Sequence, residues 1–492
     1  DARHAQKAVV RKLEDFQRAL QQRQQRWWMH GVHAPAASFP AASAPSVTWS
    51  WGIFRGSPGV RDKVSILDHA LGLAKEAHEG QLRRSGDPYW THPLSVADLL
   101  ARLLLPPTDV KFPAREGLSA AEALELDARA LWHRIAAGPE DVFAMYIAAL
   151  LHDTVEDTSM TIGDIQDLYG TFVATFVDGV TKTSPDTKSP ALRSAEDLKK
   201  VLTFGAHDVR VLLVKFADRL HNMSTLEHMP AAKQRRISEE TRAVYVPLAE
   251  RLGIHIWKRE FEELCCRYLN GYAYDLAVRH NEQTAEARGR GLRYIRQYFS
   301  TLIMDKMEEG AIQKVEMDEE PLHTQLRRWA THSSSAPPAP VPRMRVIARD
   351  RETCWSCLGQ IHRLLPPMPG RLRDYISSPK ENMYMSLHTT VLMDGTPVEV
   401  YIRSPEMEWV AEFGVAACWR HGEDLARSSL GRGLREALRS TWLQEASDSL
   451  EQSLRSVDYP SPQERARPAP EERAVSLERE DLREDLAEDL GP

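Results

Sequence analysis

The sequence contains few cysteines, lacks long apolar segments and carries no strong excess of charge of either sign. Five cysteines in 492 residues argue against a disulfide scaffold and are typical of a reducing compartment, so we expect a cytoplasmic protein. No run of about 18 apolar residues occurs, so we predict no transmembrane helix and no membrane partner. A net charge of −7 does not favour bulk binding to polyanions, and we predict no nucleic-acid partner.

What remains is the composition of a large globular protein with several domains. Apolar residues make up 42% and charged residues 27% of the chain, and 492 residues suffice for about three domains. Changes in texture along the chain predict four segments. They are an N-terminal helix with a disordered Ala/Pro linker over 1–61, an all-helical domain over 62–275 with an insertion at 106–139, a small α+β domain over 283–424, and a helical or disordered acidic tail over 425–492.

Apolar periodicity distinguishes the two central segments. Apolar residues recur at helical spacing in the second segment, as in 64–74 and 209–220, and alternating patterns are nearly absent there. The third segment has short β-branched runs that predict strands, and an Asp-Gly pair at 394–395 that predicts a hairpin. The predicted strands are 343–348, 389–393 and 398–402.

The most distinctive local sequence is His-Asp-Thr-Val-Glu-Asp at 152–157, directly after an apolar run. On a helix, Asp153, Glu156 and Asp157 would share one face. Such a concentration of carboxylates is costly unless a cation is bound. The nitrogen of His152 and the oxygens of Asp153 suit Mn²⁺, Fe²⁺ or Zn²⁺ better than Ca²⁺. The alternative interpretation is a surface acidic helix with a chance histidine, although the apolar run before it argues against a surface position.

Two more residues are candidate ligands because of their positions. His92 precedes a proline at the expected start of a helix. Asp218 follows an apolar helical run and shares one helical stripe with Asn222 and Thr225. Taken alone, each of these residues is more often structural. Their order, a His followed far along by His-Asp and then by Asp, resembles the metal signature of HD phosphohydrolases.

Longer strings carry a resemblance to one family. They are AHEGQLRRSGDPYWTHPLSVA (77–97), AALLHDTVEDT (148–158), YGTFVATFVDGVTK (169–182), DVRVLLVKFADRLHNMSTL (208–226) and ETRAVYVPLAERLGIHIWKREFEEL (240–264). Together they resemble the long RelA/SpoT-type enzymes, which make and degrade the alarmone (p)ppGpp of the stringent response. The resemblance is dense over 64–269.

The resemblance implies an all-α HD-type domain that uses Mn²⁺ to hydrolyse (p)ppGpp to GDP or GTP and pyrophosphate. Ser224 stands where the family often has arginine, so that contact is not carried over. Arg84 stands where the family commonly has lysine and keeps the charge, and the other family positions are matched. They imply His92, His152, Asp153 and Asp218 as metal ligands, Glu156 and Asp157 as catalytic residues, and Arg83, Arg84, Asn222 and Thr225 as substrate contacts.

The third segment resembles the synthetase domain of the same family. The strings CWSCLGQIHRLLPPMPGRLRDYISSPKENMYMSLHTTV (354–391) and VEVYIRSPEMEWVAEFGVAACW (398–419) carry this resemblance. It implies a nucleotidyltransferase-like α+β fold in which Tyr384 stands at the position that stacks the acceptor guanine. His388 and Glu399 are retained.

Departures from the family pattern predict that this domain is a pseudo-synthetase. Transfer of pyrophosphate from ATP needs a metal ion held by two carboxylates. Glu399 can supply one, but the position of the other is Pro340. The basic string that grips ATP is not recognisable between 289 and 344, and Met385 and Tyr401 replace two glutamines that are usual in the family. We therefore predict that the synthetase domain is inactive.

Two other functions stay open at the level of sequence. The chain could be a regulatory pseudoenzyme that binds guanine nucleotide through Tyr384 and the basic residues Arg371, Arg373 and Lys380. The retained metal ligands argue against that as its whole function. It could also be an HD phosphohydrolase for another nucleotide, because the insertion could alter the pocket. No partner can be assigned to the acidic tail.

Overall fold

The computed structural model describes residues 60–106, 118–182, 190–304, 306–331 and 336–421, together with 425, 428, 430, 433 and 434. The predicted N-terminal helix and linker lie outside the described residues. So do most of the predicted acidic tail and part of the predicted insertion.

The described residues before 305 are helical, with no strand longer than an isolated bridge between Leu82 and Pro88. This agrees with the predicted all-α domain. The helices are α1 (Val60–Ala77), α2 (Thr91–Leu104), α3 (Ala120–Ala137), α4 (Glu140–Leu151), α5 (Thr154–Asp157), α6 (Ile162–Val180), α7 (Pro190–His207), α8 (Val209–Ser224), α9 (Ala231–Glu240), α10 (Val246–Arg251), α11 (His255–Leu269) and α12 (Gly271–Met304).

Helix α4 is the centre of this helical domain. Its residues from 142 to 151 are all buried, including Phe143, Ile147 and Leu150. A helix that is apolar on every side must be surrounded by other elements, and α4 packs against α1, α2, α3, α6 and α8. The end of α4 therefore delivers the residues that follow it into the interior of the domain.

Side-chain caps define where several of the surrounding helices begin. Ser119 and Glu122 form a capping box at α3, and Thr161 and Asp164 form another at α6. The Asp208 side chain accepts a hydrogen bond from the backbone N–H of residue 210 at the start of α8. These caps satisfy N–H groups that a helix leaves without intrahelical partners.

The remaining described residues form a five-stranded sheet with flanking helices, which confirms the α+β prediction. The elements are β1 (Ile312–Glu319), α13 (Leu322–Ala330), β2 (Pro342–Ala348), α14 (Arg351–Leu364), β3 (Arg373–Asp374), β4 (Leu387–Met393), β5 (Thr396–Arg403), α15 (Pro405–Phe413) and α16 (Ala417–Arg420). The strand order is β1-β2-β5-β4-β3. Strands β2 and β5 are parallel, and the other neighbours are antiparallel.

The three predicted strands are confirmed as β2, β4 and β5. Asp394 and Gly395 join β4 to β5 with φ angles of 48° and 79°, the left-handed conformation that a tight hairpin turn of this kind needs. The sequence analysis missed β1, α13 and β3. Helix α12 runs continuously through 276–282, the interval that the sequence left between the two predicted domains.

The two parts of the chain contact each other through backbone groups. The N–H of Val415 donates to the carbonyl of Leu252 (3.0 Å), and Gly414, with φ of 52°, passes against the same turn. The Arg420 guanidinium donates to carbonyl groups at the end of α2, including that of Leu103 (3.2 Å). None of the helices described here is long and apolar enough to cross a membrane.

Candidate metal centre

Three separate segments bring the predicted metal ligands together. His92 lies in the first turn of α2, as predicted, and Asp218 lies in α8. Helix α4 ends at Leu151 and α5 begins only at Thr154. The continuous helix assumed for this stretch is therefore wrong: His152 and Asp153 occupy the turn between two helices. Because α4 is buried, this turn also lies inside the domain.

Short distances connect the four side chains, all of which are buried. His92 Nε2 lies 3.3 Å from Asp153 Oδ2 and 3.3 Å from Asp218 Oδ1. His152 Nε2 lies 3.2 Å from Asp153 Oδ1 and 3.8 Å from Asp218 Oδ1. One ligand atom from each of His92, His152 and Asp218 lies within 4.8 Å of the others. These three residues can therefore hold a metal ion, and Asp153 lies beside them.

The hydrogen bonding of His152 fits a bound cation. Its Nδ1 lies 2.8 Å from the carbonyl oxygen of Ala149. A carbonyl only accepts, so Nδ1 must carry the hydrogen and the neutral ring leaves a lone pair on Nε2. That Nε2 is buried without a hydrogen-bond partner among the described residues, and it faces Asp153 and Asp218. A lone pair and two carboxylates repel one another unless a cation lies between them, so this donor set fits a divalent metal.

The surroundings keep both aspartates ionised. Burial raises the pKa of Asp218, but the Lys215 ammonium, together with the two imidazoles when they are protonated in the absence of a metal, holds that pKa well below its usual value. Lys215 Nζ lies 2.9 Å from Asp218 Oδ2. Burial raises the pKa of Asp153, but the charges of His152 and His92, when these rings are protonated in the absence of a metal, outweigh burial and lower it. Anionic oxygens of this kind are the form in which carboxylates bind metal ions.

The predicted catalytic pair lies one turn beyond the metal centre. Glu156 accepts a hydrogen bond from the backbone N–H of Lys182 (2.5 Å) and forms an ion pair with the ammonium of the same residue. Asp157 Oδ2 accepts a hydrogen bond from the Tyr89 hydroxyl (2.6 Å), which also lies 3.1 Å from Asp153 Oδ2. Glu156 and Asp157 are thus held by partners of their own.

Sequence reasoning missed Tyr89 and Lys182, although both lie within strings that carried the resemblance. Burial and the nearby Asp153 and Asp157 raise the pKa of Tyr89 above its usual value, so its hydroxyl stays a donor. Lys182 is the last residue of the string that ends in VTK. Their positions in these strings were the only signal in the sequence that could have identified them.

Three of the four predicted substrate contacts lie together. Arg83 Nη2 donates to Asn222 Oδ1 (3.2 Å) and to Thr225 Oγ1 (3.4 Å). Asn222 in turn donates from Nδ2 to Asp218 Oδ1 (2.5 Å). A hydrogen-bonded chain therefore connects the arginine to a candidate metal ligand. The substrate-binding role of these residues remains a prediction.

Arg84 is one of several cations that lie near Lys233. It is exposed. The pKa of Lys233 is lowered below its usual value, mainly by burial and further by the charges of Arg84, Arg236 and Lys182. Arg84, Arg236 and Lys182 therefore each lie near enough to Lys233 for their charges to act on it. Their concentrated positive charge favours an anionic ligand.

A histidine that the sequence analysis did not single out contacts the candidate metal ligand His92. His221 lies on α8, three residues after Asp218, and its Nδ1 is 2.7 Å from Nδ1 of His92. Burial, together with His92 and Arg83, lowers the pKa of His221 to about 3.

In the α+β region, the retained carboxylate already has partners. Glu399 Oε2 accepts hydrogen bonds from Arg343 Nε (2.7 Å) and from the Tyr401 hydroxyl (2.9 Å). Pro340 is buried two residues before β2. An arginine therefore offsets the charge of the one acidic group that the sequence retains at the predicted metal position.

The ring of Tyr384, the predicted stacking surface, is largely covered in this structure, and its stacking role stays a prediction. Tyr384 is only 6% exposed, and Lys380 and Arg403 each lie 5.2 Å from its ring centroid. Its hydroxyl accepts a hydrogen bond from Arg403 (2.6 Å) and lies 2.7 Å from His388 Nε2. The polar network that buries the ring leaves little surface for a base.

Two family models match the chain. The HD domain model matches residues 133–255, which include His152, Asp153 and Asp218, and the model for the region found in RelA and SpoT proteins matches residues 341–425. Both matches follow the order of the two structural parts described above.

Curated relatives extend the similarity across both parts. The bifunctional (p)ppGpp synthase/hydrolase SpoT of Escherichia coli (strain K12) is 37% identical over 372 residues, 74% of this chain and 47% of the relative. The GTP pyrophosphokinase of Myxococcus xanthus is 34% identical over 370 residues, 74% of this chain and 44% of the relative. The guanosine-3′,5′-bis(diphosphate) 3′-pyrophosphohydrolase of Haemophilus influenzae (strain ATCC 51907 / DSM 11121 / KW20 / Rd) is 33% identical over 397 residues, 76% of this chain and 49% of the relative.

The chain thus spans about half the length of the curated relatives it matches. Their names include both the synthesis and the hydrolysis of the alarmone, so similarity alone does not select between the two reactions. The two family models and the relatives nevertheless agree on ancestry. The chain belongs to the RelA/SpoT-type family, with an HD domain followed by the region that RelA and SpoT proteins share.

Proposed function

We propose that this chain is a manganese-dependent hydrolase that removes pyrophosphate from the 3′ position of (p)ppGpp and leaves GDP or GTP. The observation that carries the proposal is the buried group of His92, His152 and Asp218, with the unpartnered Nε2 of His152 at its centre. We infer the identity of the substrate from the relatives that are named for this reaction. Mn²⁺, Fe²⁺ and Zn²⁺ all accept such mixed nitrogen and oxygen ligands, and the family resemblance favours Mn²⁺.

The chemistry follows from the arrangement of these side chains. His92, His152, Asp153 and Asp218 would hold the metal, which when bound lowers the pKa of a water molecule and provides a nucleophile near neutral pH. Glu156, held by Lys182, is placed to orient water or to accept its proton. That division separates metal binding from proton transfer.

The substrate would be held by the cations at the opening of the site. Arg83, oriented by Asn222 and Thr225, can form charge-assisted hydrogen bonds with oxygens of the 3′-diphosphate. Arg84 adds positive charge nearby. These cations offset the charge that develops on the departing pyrophosphate.

The experiment is hydrolysis of ppGpp by the purified full chain with Mn²⁺, Zn²⁺, Fe²⁺ or Mg²⁺ supplied singly. Products are separated by ion-exchange chromatography, and we expect GDP and pyrophosphate with Mn²⁺. GTP and deoxynucleoside triphosphates test the alternative of another nucleotide substrate. Asp153→Asn should abolish activity, whereas the matched control Asp178→Asn, which removes a carboxylate paired with Lys200, should not. Release of phosphate from a deoxynucleotide but not from ppGpp would contradict the proposal.

We also propose that the RelA/SpoT region makes no alarmone. Pro340 cannot bind a metal, and the Glu399 carboxylate is engaged by Arg343 and Tyr401. Losing a carboxylate that holds the metal should lower the rate by far more than about 10-fold, because the developing phosphoryl charge loses its counter-ion. The test supplies ATP, GDP and Mg²⁺ to the Asp153→Asn variant, which cannot degrade a product. Alarmone formation there would contradict the proposal.

The cations of this region support a second, binding function. The pKa of His388 is lowered to about 3, mainly by burial and further by the positive charges of four neighbouring residues, Arg403, Lys380, Arg343 and Arg373. A site with this charge suits a guanine nucleotide bound through its phosphates, without stacking on the buried tyrosine. Calorimetric titration of the full chain with GDP and with guanosine tests this, and we expect GDP alone to bind. Equal binding of guanosine would exclude recognition through phosphate.

A further inference from the structure

His92 has a different hydrogen bond from His152 at the ring nitrogen that faces away from the candidate metal centre. His92 Nε2 faces Asp153 and Asp218 at 3.3 Å each, and its Nδ1 lies 2.7 Å from Nδ1 of His221. The two ring centroids are 4.8 Å apart. Two ring nitrogens this close need one hydrogen between them, so one ring donates and the other accepts.

The direction of this hydrogen bond decides whether His92 can bind a metal. If His92 Nδ1 donates, the neutral ring keeps a lone pair on Nε2, toward the two carboxylates. If His221 donates instead, a neutral His92 carries its hydrogen on Nε2 and has no lone pair for a metal there. Only the first arrangement serves the metal centre that the proposed function requires.

We propose that His221 is a positioning residue, whose Nδ1 accepts the hydrogen of His92 Nδ1 and so selects the metal-binding tautomer and orientation of that ring. This inference rests on the metal centre of the proposed function. It gives a specific task to a side chain outside the predicted ligand set. Partners of this kind fix the tautomer of metal-bound histidines generally.

The surroundings of His221 are compatible with the accepting tautomer. That tautomer carries its hydrogen on Nε2, which needs a partner of its own or water. The His221 side chain lines a cavity of about 670 Å³, together with Ser95, Ser224 and Asp98. A cavity of this size admits water, and the hydroxyl oxygens of Ser95 and Ser224 and the carboxylate of Asp98 can accept hydrogen bonds there. The accepting tautomer therefore does not require another fixed protein partner.

The two imidazoles differ in how their orientation can be tested. His152 donates to the backbone carbonyl of Ala149, and a substitution of Ala149 would not remove that carbonyl. His92 depends on a side chain, so its partner can be replaced without altering the candidate ligands. His221→Asn places an amide oxygen near the position of Nδ1 and keeps an acceptor there. His221→Leu has a similar size and no acceptor.

The experiment measures Mn²⁺ binding to the metal-free full chain by electron paramagnetic resonance of the free ion. We expect His221→Asn to bind Mn²⁺ within about threefold of the wild type, and His221→Leu to bind about 10- to 100-fold more weakly. The control His228→Leu, an exposed histidine four residues after Ser224, should have no effect. Thermal unfolding of the metal-free variants reports whether each one folds. If the leucine variant does not fold, His221→Ala replaces it, because truncation only enlarges the cavity.

Two results would overturn the inference. One is wild-type Mn²⁺ affinity in the folded variant that lacks an acceptor, and the other is an equal loss in the asparagine variant. Failure of the proposed function would differ from either. In that case the wild type and His221→Asn would bind Mn²⁺, the acceptor-free variant would bind it more weakly, and none would hydrolyse (p)ppGpp.

Discussion

Replacing Glu156 by glutamine should separate catalysis from metal binding. The structure places the Glu156 carboxylate against the backbone N–H and the ammonium of Lys182, beside the candidate ligands. Asp153, in contrast, lies 3.3 and 3.2 Å from the two imidazoles. Glu156→Gln keeps the size of the side chain and removes its charge and its ability to accept a proton. Asp153→Asn makes the same chemical change at the metal centre.

The magnitudes follow from these positions. Loss of a group that orients water or accepts its proton should lower turnover by about 10²- to 10⁴-fold, or about 2.7–5.5 kcal/mol. The Lys182 side chain is 58% exposed, so its ion pair with Glu156 contributes no more than about 1 kcal/mol to stability. The lost activity of Glu156→Gln would therefore not reflect unfolding. Its Mn²⁺ dissociation constant should stay within about threefold of the wild type, whereas Asp153→Asn loses an anionic ligand and should weaken binding by more than about 100-fold.

The assay combines two measurements on each variant. Mn²⁺ affinity is determined by titration of metal-free protein, and release of pyrophosphate from ppGpp is measured at saturating Mn²⁺. Glu125→Gln is the matched control, because it removes a Lys–Glu pair of 2.5 Å elsewhere in the helical domain. Equal losses of Mn²⁺ affinity in Glu156→Gln and Asp153→Asn would refute the division of roles.

Three further predictions test other parts of the structure. Tyr89→Phe removes the hydroxyl that donates to Asp157. Because a hydrogen bond to a charged group is worth about 1.5–3 kcal/mol, steady-state turnover should fall by about 10- to 100-fold. Unchanged turnover would contradict this role. Two glutamates outweigh burial and raise the pKa of His323; its stabilisation is therefore present below its ordinary pKa of about 6.5 and is lost as the pH rises through the raised value. His323→Gln should therefore lower the free energy of unfolding more at about pH 6 than at about pH 9, two values that bracket that pKa. Urea unfolding measures this difference, and an equal loss at both pH values would exclude the linkage. Gly414→Ala puts a Cβ against the carbonyl oxygen of Leu252 at a φ of 52°, so we expect a loss of about 3 kcal/mol or more in the free energy of unfolding; a wild-type urea midpoint would disprove the close approach.

Much of the fold could be predicted because its periodicity is strong. The apolar α4 and the hairpin at 394–395 are encoded locally, and both occur in the structure. Strand β1 was missed because it lies at the sheet edge, where half of its residues are charged and only Ile312 is buried. An edge strand with one solvated face has no continuous apolar run to reveal it.

The candidate site divides in the same way. Its residue types were recognisable because the strings around His92, His152 and Asp218 are distinctive. Their partners were not, because Tyr89, Lys182 and His221 are each selected by contacts that cross long stretches of chain, up to 129 residues in the case of His92 and His221. Such contacts leave no spacing in the sequence by which they could be found.

The sequence by itself determined the order of a helical and an α+β domain, the identity of the candidate ligands and the absence of a second carboxylate at Pro340. These follow from residue type and local period, which need no knowledge of distant contacts. Only the tertiary structure decided that His152 carries an unpartnered nitrogen, that Arg343 neutralises Glu399 and that Tyr384 is buried. Each of these depends on which side chains meet across separate elements, and packing of the whole chain determines that.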